Sequence, residues 1–199
     1  SIFLAVSSAT ICSVLGTTIV VVSRHAKGWM KKILEGISLL PEMLPSIVMV
    51  IGVMLFWNSI YQWIPLYNTI GIMILAYVIL YLPYTVQYVT SSFTQMNENM
   101  IQAGRIFGGS PSYVFRRITL PMISRGIVAG WMMIFIIAFR ELVTASLIAP
   151  PNTLVVSTYI NREFEQGSVS LGMAMAVICV LITTTALMLL NYFGRKRGE

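Results

Sequence analysis

The sequence predicts an all-α integral membrane protein with five crossings, and three observations carry that prediction. Of its 199 residues, 57% are apolar and 10% charged, and the mean hydropathy is +0.81. A soluble domain is typically about 25% charged, so this chain has too little polar surface to cover itself in water. Residues 1–23, 43–97 and 166–194 contain no Asp, Glu, Lys or Arg, and such blanks are long enough for spans of about 20 residues each. Finally, these runs lack the alternation of barrel strands, and open sheets cannot cross lipid, which leaves helices.

The first helix is expected over 2–22 and the second over 33–57. An aromatic turn at Asn58–Pro65, with Tyr61 and Trp63, sits between the second helix and the third, expected over 66–89. A polar stretch of about 91–121 separates the third from the fourth, expected over 122–149. Pro150-Pro151-Asn152 then stops the chain before the fifth helix, over 169–193. The whole of 1–199 reads as a single transmembrane domain. Opening on Ser1 rather than Met suggests a fragment or a processed piece.

The bases give the orientation. Arg24, Lys27, Lys31 and Lys32, then Arg105, Arg116, Arg117 and Arg125, then Arg195, Lys196 and Arg197 fall on one side of a five-span chain. Together they are eleven of the thirteen Lys and Arg residues, which places that side in the cytoplasm and the N-terminus outside. The net charge of +6 is therefore a membrane topology signal, and no nucleic-acid partner is expected. Membrane lipid is the expected surround.

Several chemistries are excluded by composition. There is no Asp, one His (His25) and two Cys (Cys12, Cys179), so paired aspartates, bis-His haem and a Cys/His metal cluster are not expected. The thirteen methionines read as core filler and His25 as a solvated loop residue. No catalytic or metal-binding residue is assigned.

The stretch 91–121 is too polar to span but carries capping signals. Ser110-Pro111 reads as an N-cap followed by proline at the first helical position. Gly108-Gly109 ends a preceding helix expected over Met96–Phe107. The result is two short helices at the membrane surface, and a basic interfacial helix attracted to anionic lipid explains them as readily as any specific role.

Within that loop, Gln102-Ala103-Gly104, then Gly108, then Ile118-Thr119-Leu120-Pro121 resembles the cytoplasmic signature of binding-protein-dependent ABC importer permeases. The pattern is E-A-A, three residues, G, nine residues, I-x-L-P. Gln102 stands where Glu is usual and Gly104 where the second Ala is usual. The resemblance implies a five-helix type I importer core whose loop docks on a separate ATPase. No G-x-x-x-x-G-K-[ST] phosphate loop is present, so the chain is expected to hold no cofactor and to leave ATP to that partner. Gln102, Ala103, Gly104, Gly108, Ile118, Leu120 and Pro121 are the expected coupling residues, with Pro121 starting the fourth span. A second permease half, identical or homologous, and an extracytoplasmic substrate-binding protein are the other implied partners. The chain is not expected to be an enzyme.

Charges within spans are costly, about 2.5–3.5 kcal/mol at a helix centre on insertion scales. Glu42, in Pro41-Glu42-Met43-Leu44-Pro45, and Arg140-Glu141, in the outer part of the fourth helix, are candidates for a polar substrate path. The competing reading is that Arg140 pairs with one of the two glutamates and stabilises the bundle. Gly126 and Gly130 read as a close-packing patch. Phe139–Leu147, followed by Asn152-Thr153-Leu154-Val155-Val156, is similar to the branch of the family that imports ferric iron, which often fuses two halves in one polypeptide. Thiamine and phosphonate importers have related sequences. An ion-gradient-driven transporter or channel would have only Glu42, Arg140 and Glu141 as a relay.

Overall fold

The computed structural model describes residues 1–151 and 153–196, so Asn152 and Arg197 of the sequence reading lie outside the described residues. Among the described residues, ten α-helices follow one another: α1 (Ile2–His25), α2 (Trp29–Met43), α3 (Ser46–Ser59), α4 (Ile70–Thr94), α5 (Glu98–Ile106), α6 (Pro111–Val114), α7 (Leu120–Phe139), α8 (Val143–Ile148), α9 (Val156–Glu165) and α10 (Val169–Lys196). One π-helical turn, Phe115–Thr119, joins α6 to α7 without a break.

Helix α1 carries no charge before Arg24, and three of its hydroxyls turn back onto the backbone. Ser8, Thr10 and Thr18 donate to the carbonyls of Leu4, Val6 and Val14 at 2.7, 2.7 and 2.8 Å. Such bonds hide polar groups that lipid could not satisfy. The helix ends on Arg24 and His25, where cations favour the negative end of the helix dipole. His25 is thus a helical residue, not the loop residue the sequence suggested.

Contacts along the bundle give the direction of each crossing. Helices α1 and α4 run parallel: Cys12 Sγ lies 3.6 Å from the Val78 carbonyl, Gly16 abuts Thr85, and the Arg24 guanidinium lies 5.4 Å from the centre of the Phe93 ring. Helix α7 is antiparallel to α4, with Gly130 against Thr85 and Gly126 against Tyr88. Two parallel crossings require a return path between them. The bent pair α2 and α3 is that return, so the chain crosses five times.

The second crossing differs from the single helix expected over 33–57. Helices α2 and α3 meet at 108° across Leu44 and Pro45. Proline disfavours helical geometry in the residue before it, and Leu44 is accordingly extended (φ −104°, ψ 143°). The fourth crossing also differs from the expected 122–149. It is part of a continuous helical run from Pro111 to Phe139, broken at Arg140 before the short α8.

Close packing of α1, α4 and α7 depends on small residues. A Cβ placed on Gly126 would lie 2.6 Å from the Tyr88 carbonyl oxygen and 2.1 Å from Ser92 Oγ. One on Gly130 would lie 3.2 Å from Thr85 Cα, and one on Gly16 2.7 Å from Thr85 Cγ2. Thr85 is therefore held between a glycine of α1 and a glycine of α7. With no hydrophobic drive between helices in lipid, such van der Waals contact is the main source of cohesion. Tyr77, Met73, Ile72 and Ile134 fill the outer half of this core, and Val89 and Ile123 the cytoplasmic end. By contrast, only 6% of the apolar stretch of α10 is buried, and α3 exposes Ile47, Val48, Ile51, Leu55 and Phe56.

Candidate functional site: the cytoplasmic loop and the polar residues of the spans

The signature residues form a compact two-helix elbow. Asn97 Oδ1 accepts the Asn99 amide at 3.0 Å and starts α5, and Ser110 Oγ accepts the Tyr113 amide at 3.3 Å and starts α6, with Pro111 at its first position. Between them the backbone turns at Gly108, whose φ of +80° lies in the left-handed region that glycine adopts without a Cβ penalty. Nothing lies within 4 Å of the place a Gly108 Cβ would take, so its role is conformational and not a matter of room.

Gly104, the departure from the usual alanine, has the opposite role. A Cβ there would lie 2.6 Å from Ile118 Cδ1, so positions 104 and 118 of the signature touch across the elbow. The Gly109 amide closes the turn by donating to the Gly104 carbonyl at 3.0 Å. Gln102 and Ala103 are exposed on α5, Ile118 is half-buried, and Leu120 and Pro121 are exposed where the π-turn runs into α7. Pro121 stands in the first turn of α7, as expected, but the helix already runs into it from the π-turn. Its ring would collide with the carbonyl four residues back, that of Arg117, and the wider π-turn is the local adjustment that accommodates it.

At the tip of the elbow, Ile106 is 81% and Phe107 91% exposed. Two bulky apolar side chains are held in the open on a capped turn as an exposed apolar patch. The sequence reading passed over them, although two apolar residues directly before Gly-Gly in a polar loop were the available signal.

The polar residues of the spans do not gather in one place. Glu42, at the end of α2, accepts a hydrogen bond from Gln87 Nε2 of α4. Glu141 sits in the break after α7. Its Oε2 accepts from the Tyr81 hydroxyl at 2.6 Å, and its Oε1 from the Thr144 amide and hydroxyl at 3.1 and 3.2 Å. Its carbonyl accepts from Ser157 of α9 at 2.5 Å. Both glutamates thus bind α4, about 9 Å apart along its axis for a six-residue separation. Arg140 is exposed at the end of α7, and neither glutamate lies within 4 Å of it among the described residues. Among the described residues Arg140 and Glu141 do not pair, and Glu141 instead accepts the Thr144 amide in the first turn of α8. Gln87, Tyr81 and Thr144 were not singled out from sequence. Gln87 was the findable one, as an amide in an apolar run.

A model of the binding-protein-dependent transport system inner membrane component family matches residues 9–197. The chain belongs to this family. It is a multi-pass inner-membrane permease of a binding-protein-dependent ABC importer. The Fe(3+)-transport system permease protein FbpB 2 of Haemophilus influenzae is 27% identical over 158 residues, which are 79% of this chain and 31% of that protein. This permease thus spans about a third of that relative's length. The spermidine/putrescine permease PotC of the same organism is 23% identical over 100% of the chain and 76% of its own length. The putative 2-aminoethylphosphonate permease PhnV of Salmonella paratyphi A is 22% identical over 85% of this chain and 63% of its own.

Among solved structures, a bacterial ABC transporter involved in import of the acidic polysaccharide alginate superposes with a TM-score of 0.74. The match covers 98% of this permease and 79% of that chain at 18% identity. An amino acid ABC transporter crystallised with histidines gives 0.71 over 98% and 89%, also at 18% identity. These likenesses establish the type I importer fold. Among the described residues, no group of three or more His, Cys or Glu side chains is placed to hold a metal ion.

Proposed function

We propose that this permease passes ferric iron, handed over by an extracytoplasmic binding protein, and that separate ATPase subunits drive it through the Gly108 elbow. A second permease half completes the pathway, since five crossings with α3 and α10 largely uncovered cannot enclose one. ATP is held by the partner subunit. Closure of the ATPase dimer pushes the elbow, and the push reaches the bundle directly because α6, the π-turn and α7 are one uninterrupted run from Pro111 to Phe139. The two halves then exchange inward-open and outward-open arrangements.

The observation that carries the coupling role is the pair Ile106 and Phe107, exposed beside a glycine turn of positive φ. The cargo reading rests on the similarity of Phe139–Leu147 to the iron branch and on the ferric iron permease among the relatives. Ferric iron favours a cage of hard oxygen ligands. Glu141 is engaged with Tyr81 and Thr144, and Glu42 with Gln87, so neither offers a free cage. Contact with iron here is weak and transient, and selectivity belongs to the external binding protein.

The test is uptake by cells lacking this permease. Loss of ⁵⁵Fe(III) accumulation, abolished also by ATP depletion but not by an uncoupler, supports the proposal. Normal iron uptake with loss of polyamine, phosphonate or thiamine uptake moves the cargo and leaves the family assignment standing.

A further inference from the structure

A cavity of about 910 Å³ opens at the cytoplasmic end of the bundle, between the last turns of α1 and α4 and the inner side of the elbow. Five cationic or protonatable side chains line it: Arg24, His25, Lys31, Arg105 and Arg116. Among the described residues, no Glu is part of its lining. Lys31 is partly neutralised by Glu35, 3.9 Å away, so the arginines carry most of the charge. None of the three has a carboxylate within 4 Å among the described residues, and Arg24 is held in place by the face of Phe93.

The apolar side chains of Val21, Phe93, Met96, Ile101 and Phe115 line the same cavity. Its depth in the membrane follows from the chain. Residues 1–23 of α1 carry no charge and Arg24 is the first base, so the cavity straddles the boundary between hydrocarbon and headgroups. Three guanidinium groups without a carboxylate partner, sharing a cavity at that level with apolar side chains, match an amphiphile with a phosphate at one end. A free phosphate would use the arginines and leave the apolar lining wet.

We propose that this cavity binds the headgroup of an anionic phospholipid of the cytoplasmic leaflet, its phosphate against Arg24, Arg105 and Arg116 and its acyl chains along Phe93 and Met96. Arg24 belongs to the bundle, whereas Arg105 and Arg116 belong to the elbow, so the lipid bridges the two parts that must move together. Gln102 takes on a meaning here as well. It lines the cavity at the position where the signature usually has Glu, and its neutral amide leaves the arginines free of a built-in counter-charge.

The test uses the permease purified from membranes with the subunits that accompany it, exchanged into nanodiscs of equal phosphatidylglycerol and phosphatidylcholine. Retained lipid is then counted by native mass spectrometry. The wild type is expected to retain phosphatidylglycerol in preference. Arg105→Gln with Arg116→Gln should reduce that retention by an order of magnitude or more, at about fivefold per base near an anionic surface. Gln102→Glu, which keeps every base, should also reduce it severalfold, whereas Lys27→Gln, a nearby base outside the cavity, should not.

Equal retention of the two lipids by the wild type, or undiminished retention by both the double variant and Gln102→Glu, overturns the proposal. Displacement of the lipid by millimolar inorganic phosphate would assign the site to a soluble anion. If the double variant instead sheds the ATPase while keeping its lipid, the arginines face a protein partner and the lipid site is wrong.

Discussion

The Tyr81 hydroxyl donates a 2.6 Å hydrogen bond to the Glu141 carboxylate and so ties the middle of α4 to the break that ends α7. Since Glu141 also accepts from Thr144 of α8 and from Ser157 of α9, one residue joins four helices at the outer end of the bundle. A hydrogen bond to a charged group contributes about 1.5–3 kcal/mol. Tyr81→Phe and Glu141→Gln should each lower thermal stability by an amount in that range. A double-mutant cycle should show strong coupling between 81 and 141 and coupling near zero between 140 and 141. Rescue of Glu141→Gln by Arg140→Gln would mean that the charges pair after all.

Gly108 should tolerate substitution according to backbone preference alone. With a φ of +80° and open space around it, Gly108→Asn is expected to be the mildest change and Gly108→Val the most damaging. ATP-driven uptake should fall in that order, while the amount of permease in the membrane stays constant. Equal uptake by all three would show that the elbow transmits nothing.

Ile106→Ser with Phe107→Ser should leave folding intact, because the two side chains are 81% and 91% exposed. Co-purification of the ATPase subunits with the permease should decrease strongly. Unchanged co-purification in the presence of a stably folded variant removes this tip from the docking surface.

The glycines make a ranked stability prediction. Gly126→Ala meets backbone at 2.6 Å and should cost about 1–3 kcal/mol, the usual range for overpacking. Gly130→Ala, at 3.2 Å from Thr85 Cα, should be milder, and Gly36→Ala, with nothing within 4 Å, neutral or slightly stabilising. Midpoints of thermal aggregation in detergent would establish the order.

Topology is checked with single cysteines in a background lacking Cys12 and Cys179. Ser112→Cys on the elbow should react with an impermeant maleimide only from the cytoplasmic side, and Gln166→Cys, after α9, only from outside. Reaction of both from one side is incompatible with five crossings.

Lipid makes the number and direction of crossings legible in the chain itself. A charge-free stretch such as 1–23 must bury its backbone polar groups in a helix, and the eleven clustered bases mark the side that stays in the cytoplasm. The elbow was legible too, since Ser110, Pro111 and Gly108 each impose a local geometry that neighbouring side chains need not supply. Tertiary packing alone decided the rest. The close approach of Gly104 and Ile118 joins residues fourteen positions apart, and the choice of Tyr81 over Arg140 as the partner of Glu141 joins residues sixty apart. Neither follows from spacing along one helix, because a half-buried carboxylate such as Glu141 takes whichever donor the assembled bundle brings within reach. The same holds for the cavity beneath α1. Its three arginines come from three separate segments, and only the folded chain brings them into one cavity with Phe93 and Met96.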